Sequence, residues 1–458
     1  MRADLPEGHQ PRHSFWRRLT HASPARLAIA AFLAVVGLVT VALWLPISTT
    51  SGHAPPFIDA LFTATSAVCV TGLTSVDTAN YWSEFGHGAI LVGIQIGGLG
   101  IMTLGSIMTL MTFRRLGFRT RLLAASETGS TSLGEVGLLV RAVAVISAAA
   151  ESVIAVVLIS RFVTTGEPWP RAVWHGVFYA VSTFNNAGFA PTDHGLEPYL
   201  ADWGVLVPVG LGVFIGSLGF PVILDITRHL RHPRRWNLHT KLTVSVSLVL
   251  VVASAVLLSL TEWNNPATLG DQTTGTTLLN SVFTGVNTRS GGFATYSIDQ
   301  QRPATIIAQD ALMFIGGGSA STAGGIKVTT FAVLLLAILA EARGDRDMEA
   351  FGRRIDPSTL RVAITVTTAG VVLVFIGALG LSIIGAGPPD HVIFETISAF
   401  GTCGLSTGLS ATLPWDGKLI LVALMLVGRL GTMTIAALVS LTNRRRLIRL
   451  PQERPIIG

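Results

Sequence analysis

Ser66-Ala67-Val68-Cys69-Val70-Thr71-Gly72-Leu73-Thr74 is the stretch on which the fold turns. It closes an apolar segment, Ile58–Val68, that is too short to cross a bilayer. Such a segment makes roughly 16 Å of helix, about half a membrane. The pattern returns three times. Trp174–Phe184 leads into Asn185-Asn186-Ala187-Gly188-Phe189, and Thr276–Val286 leads into Thr288-Arg289-Ser290-Gly291-Gly292-Phe293. His391–Phe400 leads into Gly401-Thr402-Cys403-Gly404-Leu405. Aligned on Gly72, Gly188, Gly292 and Gly404, the copies lie 116, 104 and 112 residues apart, near a quarter of the 458-residue chain. A large apolar residue follows each glycine: Leu73, Phe189, Phe293 and Leu405. Ten residues before the glycine stand Phe62, Phe178, Val282 and Phe394; six before it stand Ser66, Ser182, Val286 and Ser398. The third copy deviates at both places. Unrelated turns would not share offsets, spacing and order, so the chain is a fourfold internal repeat.

Composition places that repeat in a membrane. Hydrophobic residues make up 50% of the chain and charged residues 13%, against about 25% in soluble proteins. Mean hydropathy is +0.58. A soluble enzyme is excluded. Eight apolar stretches are long enough to span: Leu27–Leu45, Phe85–Phe113, Ala142–Ser160, Gly204–Leu224, Leu242–Thr261, Ala311–Ala340, Val362–Pro389 and Leu419–Asn443. Of the 32 Lys and Arg, 25 fall in the two tails and in every second connection, around Arg114–Arg141, Arg228–Lys241 and Arg343–Arg361. The positive-inside rule puts those segments and both termini in the cytoplasm. The basic residues are therefore topology signals, and nucleic acid is not expected as a partner. The first apolar run ends in Trp44-Leu45-Pro46 without a small-residue cleavage site, so it reads as a retained helix. Two cysteines, Cys69 and Cys403, make no disulfide framework.

The expected fold is an all-α integral membrane protein, with four pseudo-symmetric units of helix, pore half-helix and helix around one central cation pore. A cytoplasmic tail covers 1–26, the repeats cover 27–125, 126–235, 236–350 and 351–443, and a second cytoplasmic tail covers 444–458. Irregular backbone at membrane depth survives only where protein or water satisfies it. Half-helices entering from outside aim negative C-terminal ends at the centre. Carbonyls following them, ringed four-fold, can replace a cation's hydration shell. The candidate ring is Val70, Thr71 and Gly72; Asn186, Ala187 and Gly188; Ser290, Gly291 and Gly292; and Thr402, Cys403 and Gly404. With Cys403 in the filter run, a thiol reagent entering the pore is expected to reach it. Asp77, Asp193 and Asp299 follow three of the filters, either as a cation-concentrating rim or as caps; the fourth repeat has no equivalent acid. Arg289 is expected to turn away from the pore and brace the filter against a carboxylate.

These four motifs, in this order, resemble the Trk/Ktr/HKT potassium-transport superfamily over nearly the whole chain. Eight spans without an extra leading pair are most similar to its Ktr type and the KtrB-like membrane subunits. Gly316-Gly317-Gly318-Ser319-Ala320-Ser321-Thr322-Ala323-Gly324-Gly325-Ile326-Lys327 resembles the Ktr intramembrane gating loop, and Ile456-Ile457-Gly458 resembles that subunit's ending. Cys403 and Gly291 depart from the small residues common at their positions. The resemblance implies potassium as the ion held by the filter residues, with sodium as an activator left open and no covalent cofactor. It implies a homodimer in the lipid bilayer of the bacterial plasma membrane, and a cytosolic nucleotide-binding ring of the RCK/KtrA type as regulator. It also makes residues 316–325 a gate, with Lys327 at its end and Arg429, ten residues into the last span, holding it shut.

Other motifs carry less. Gly318–Lys327 lacks the Gly-Lys-Ser/Thr core of a phosphate loop, and Gly97-Gly98-Leu99-Gly100 reads as helix packing. Glu151, an acid inside a span, is by default a functional candidate, but reads better as a structural partner or a dimer-facing group. Arg429 has an alternative partner in Glu151. Two functions compete: a gated, selective potassium pore, and a sodium-coupled or sodium-conducting secondary cation transporter. Repeats of one topology favour the pore, since coupled transporters are commonly built from inverted ones. No nucleophile or metal constellation supports an enzyme.

Overall fold

The computed structural model describes residues 24–116 and 133–441. The basic tails and most of the connection around Arg119 and Arg121 lie outside them, as does Ile456-Ile457-Gly458. Each of the eight apolar stretches contributes helix, unbroken in six of them; Gly204–Leu224 bends sharply and Ala311–Ala340 is interrupted by a loop. The first repeat comprises α1 (Pro24–Trp44), α2 (Phe57–Val68) and α3 (Glu84–Leu116). The second comprises α4 (Leu133–Thr164), α5 (Trp169–Phe184), α6 (Trp203–Leu218) and α7 (Phe220–Arg228). The third comprises α8 (Leu238–Glu262), α9 (Thr274–Asn287), α10 (Pro303–Phe314) and α11 (Val328–Arg343). The fourth comprises α12 (Pro357–Ile383), α13 (Pro389–Gly401) and α14 (Trp415–Leu441). A two-stranded hairpin, β1 (Glu349–Ala350) and β2 (Arg353–Arg354), joins the last two repeats.

Local chemistry sets the starts. Pro56, Pro168 and Pro388 precede pore helices α2, α5 and α13, where a fixed φ costs nothing. Thr273 does the same for α9 by accepting from Thr276 N at 3.3 Å. Asn237 and Asp356 cap α8 and α12, accepting from Thr240 N and Ser358 N, each at 2.7 Å. Among the described residues, four helices are long and apolar enough to cross a bilayer unbroken, and five if the bent pair α6–α7 is one span. The outer flanks are apolar, with Leu38, Val153, Val249 and Phe375 all exposed, as lipid contact requires.

The repeats close into a ring. Buried residues of α1, α2 and α3 form one core with Leu421, Val422 and Met425 of α14, which joins the first repeat to the fourth. A second core joins α5 and α6 to Leu279, Phe283 and Val286 of α9. A third links Met313 of α10 to Phe394 and Cys403.

In three repeats a glycine of the second span lies against the last turn of the pore helix. A Cβ on Gly97, Gly216 or Gly428 would overlap Val68 O, Phe184 O or Phe400 O respectively. Gly97 thus packs helices, as its sequence suggested. In the third repeat this level of the span is not helical. The chain leaves α10, loops, and returns to α11, with Gly316 N donating to Ile326 O at 3.0 Å and Ile326 N to Phe314 O at 3.2 Å.

One span differs from expectation. Gly204–Leu224 reads as a single apolar run, but α6 and α7 meet at 98°. Gly219 makes the corner at φ +92°, and a Cβ there would stand 2.5 Å from Ser319 O. Pro221 sits in the first turn of α7, where its missing N–H is harmless. The corner receives the loop of the third repeat: Phe220 N donates to Ala320 O at 3.2 Å.

Candidate ion filter and gate

Four short strands descend from the pore helices and meet at their glycines. Two residues before each glycine the backbone is left-handed: Val70 (φ 55°), Asn186 (φ 58°), Ser290 (φ 71°) and Thr402 (φ 43°). The glycines are left-handed as well, at 94°, 69°, 75° and 94°, while the residue between is not. Alternation of this kind turns successive N–H groups to one side of the strand and leaves the carbonyls on the other. The N–H side faces the pore helix. Val70 N donates to Ala67 O (3.1 Å), Thr71 N to Ser66 O (2.8 Å) and Gly72 N to Ser66 Oγ (3.1 Å). The fourth strand repeats this: Thr402 N to Ala399 O (3.2 Å), Cys403 N to Ser398 O (2.9 Å) and Gly404 N to Ser398 Oγ (3.1 Å).

The carbonyl side faces the other repeats. A Cβ built on Gly72 would stand 2.5 Å from Ala187 O, and one on Gly188 2.8 Å from the Cα of Gly292. One on Gly292 would stand 2.8 Å from Cys403 O, and one on Gly404 would overlap Thr71 O. Each glycine therefore touches the next strand around a single closed ring. Side chains are excluded by contact as well as by φ.

The third repeat's deviation has a structural cause. Phe62, Phe178 and Phe394 are buried, but Val282 is 50% exposed and Phe283 takes the buried place. Four residues on, Asn287 replaces the serine: its backbone oxygen accepts from Gly291 N at 2.8 Å and its Oδ1 from Phe293 N at 3.4 Å. The connection from helix to glycine is one residue shorter, so alignment on the glycine misreads the helix by one.

Cys403 and Arg289, next to the ring, are both buried. Cys403 corrects the expectation of a pore-facing thiol: its Sγ donates to Thr288 O at 3.3 Å and is fully buried behind the filter. A reagent entering the pore is accordingly expected to leave Cys403 unmodified in the folded protein, read by mass spectrometry of the peptide. Arg289 is buried as expected, but no carboxylate braces it; its Nε and Nη1 find no acceptor among the described residues. Glu151 is a structural partner. Its carboxylate accepts from Gln95 Nε2 at 3.2 Å and from Asn185 Nδ2 at 3.1 Å, which fastens the end of α5 to α3 and α4. Asp77 caps a single turn, accepting from Ala79 N at 3.1 Å, and Asn80 Nδ2 bridges it (2.6 Å) to Asp193 (3.0 Å). Asp193 and Asp299 are exposed.

The loop Gly316–Gly325 lies directly against the filter. Thr322 Oγ1 is within donating distance of Asn186 Oδ1 (3.2 Å) and Gly216 O (3.1 Å). Gly324 N donates to Ser290 Oγ at 3.1 Å, and that hydroxyl donates to Thr402 O at 2.8 Å. A Cβ on Gly324 would overlap Thr402 Oγ1. Three of the four left-handed filter residues thus touch the loop. Gly318 N donates to Ser217 O at 2.7 Å, and Val328 N donates to Gly317 O at 3.0 Å. Ser319 bonds Thr329 at 3.2 Å, and Ser321 Oγ donates to Gly318 O at 2.6 Å. Two cations complete it. Arg429 Nη1 donates to Thr322 O, and Lys327 Nζ donates to Ala323 O at 2.7 Å. Arg429 is buried on the loop and Glu151 is bonded elsewhere; Lys327 folds back on the loop instead of reaching towards the cytoplasm.

The family TrkH, described as a cation transport protein, matches residues 12–447. The Ktr system potassium uptake protein B of Bacillus subtilis is 37% identical over 419 residues, covering 92% of this chain and 93% of the relative. The potassium/sodium uptake protein NtpJ of Enterococcus hirae is 34% identical over 448 residues, covering 95% and 97%. The crystal structure of the potassium transporter TrkH from Vibrio parahaemolyticus matches with a TM-score of 0.68 at 17% identity, covering 93% of this chain and 86% of that one, a likeness of fold.

Proposed function

The chain belongs to the TrkH family of cation transport proteins, in its Ktr branch, and from that premise we propose that it takes up potassium across the bacterial plasma membrane through a gated, selective pore. The observation that carries this is the closed ring of four glycines, each against the backbone of the next strand. A cation leaving water there meets backbone oxygens in place of its hydration shell. The filter residues Val70–Gly72, Asn186–Gly188, Ser290–Gly292 and Thr402–Gly404 hold the ion, and Asp77, Asp193 and Asp299 concentrate cations outside. The loop beneath, pinned by Arg429 and Lys327, closes the path.

The protein works as a membrane homodimer with both termini cytoplasmic. Its opening depends on a cytosolic nucleotide-binding ring of the RCK/KtrA type. Around the β1–β2 hairpin, Arg343, Arg346 and Arg353 alternate with Asp345, Asp347 and Glu349, a mixed-charge face on which that ring docks by complementary charges. A second reading, sodium conduction or sodium coupling, is favoured by the name of the NtpJ relative. Flux in liposomes through Arg429→Ala, the variant expected to open without that ring, separates the two. Potassium uptake is expected without a sodium gradient; uptake that appears only with one, or sodium carried as readily as potassium, would overturn the selective pore.

A further inference from the structure

We propose that Glu395, inside pore helix α13, is the positioning residue of the fourth filter strand. Its side chain is completely buried and lies behind the ring. Oε1 accepts from Ser406 Oγ at 2.5 Å, from Thr407 N at 3.0 Å and from Thr407 Oγ1 at 3.4 Å. Ser406 and Thr407 are the second and third residues after Gly404, so the carboxylate anchors the strand just beyond its ring position. The anchor extends to another repeat. Ser406 Oγ lies 3.3 Å from Ser410 Oγ, and Ser410 Oγ donates to Thr74 O at 3.0 Å. Thr74 stands two residues beyond Gly72, and Gly404 and Gly72 are neighbours in the ring.

The other repeats show what this place on the pore helix is for. Counted from the buried phenylalanines Phe62, Phe178, Phe283 and Phe394, the next residues are Thr63, Tyr179, Thr284 and Glu395. Tyr179 OH bonds Thr192 Oγ1 at 2.5 Å and donates to Gly195 O at 3.2 Å. Thr284 Oγ1 bonds Tyr296 OH at 3.4 Å. Both tie the strand after the filter back to its pore helix with neutral groups. Thr63 makes no such bond among the described residues. The fourth repeat uses a carboxylate, whose hydrogen bonds are roughly twice as strong as neutral ones. Glu395 therefore acts on the ion through Ser406, Thr407 and the carbonyls ahead of them.

This inference rests on the potassium-pore reading, and its experiment uses the full chain in liposomes with the wild type alongside. If neither the wild type nor Arg429→Ala, expected to open without the cytosolic ring, carries potassium, that reading fails; the Glu395 proposal is judged in whichever of the two conducts. Glu395→Ala is expected to raise the potassium KM and to lower the preference for potassium over sodium, each by about tenfold, with a smaller change in maximal flux. Glu395→Gln is expected to restore most of both. It keeps an acceptor for Ser406 and Thr407, and its amide nitrogen takes the place of Oε2, which meets no protein donor. Should the alanine variant fail to fold, Ser406→Ala with Thr407→Val removes the donated side-chain bonds from outside the pore helix and is expected to reproduce the KM and preference changes. Wild-type KM and preference in Glu395→Ala or in the double variant would overturn the proposal. So would Glu395→Gln behaving as Glu395→Ala, since charge and not strand anchoring would then be the cause.

Discussion

Gly404→Ser loses its preference for potassium over sodium by tenfold or more, measured as competing fluxes through the purified protein in liposomes. Two effects combine. Gly404 sits at φ +94°, where an L-residue costs about 1–2 kcal/mol. Its Cβ also overlaps Thr71 O and lies 3.1 Å from the Cα atoms of both Gly292 and Gly72, so three strands must shift to admit it. Selectivity is a small difference between two binding energies. About 1.4 kcal/mol of imbalance is a tenfold change. Gly408→Ala serves as the control: Gly408 shares the left-handed backbone at φ +86° but has nothing within 4 Å of a Cβ. Altered preference in Gly408→Ala and not in Gly404→Ser would remove Gly404 from the filter.

Arg429→Ala raises flux of the protein on its own and weakens its dependence on a regulatory partner. Arg429 is buried and its guanidinium holds the Thr322 carbonyl at the centre of the loop. Hydrogen bonds to charged groups contribute about 1.5–3 kcal/mol, so losing this one shifts the closed-to-open balance by roughly tenfold to a hundredfold. The substitution also removes a positive charge from the cation's path. Lys327→Met acts in the same direction, because Lys327 holds the next carbonyl, Ala323 O, at 2.7 Å. Shortening the loop within 316–325 goes further and is expected to disturb selectivity, because Thr322 and Gly324 bond Asn186 and Ser290 in the filter. A loop-shortened protein that reaches the membrane with wild-type flux and wild-type regulation would show that this segment is not the gate.

The sequence carries the architecture because the same physical demand is met four times. Short apolar helices, a left-handed turn and a glycine recur, and spacing alone exposes them. Glycines that admit a close backbone approach, such as Gly404 and Gly324, are legible since no other residue would fit. Relations between repeats are not legible in that way. Glu395 meets Ser406 eleven residues on, and Arg429 meets Thr322 at 107 residues' separation. No periodicity marks either pair. Val282 misleads because a one-residue change in the helix-to-glycine connection moves the buried phenylalanine to Phe283. Cys403 misleads because position in the filter run fixes where the carbonyl points but leaves the side chain on the opposite side, against Thr288 O. The bend at Gly219 is hidden in an unbroken apolar run, and only the loop docked on it explains the corner.

Anomalous diffraction from crystals grown in rubidium or thallium decides whether the glycine ring holds the ion. Both ions stand in for potassium and scatter anomalously. Density is expected on the ring axis, coordinated by backbone carbonyls beside Gly72, Gly188, Gly292 and Gly404 and drawn from all four strands. Ordered ions bound elsewhere in the protein, with the axis of the glycine ring empty, would contradict it.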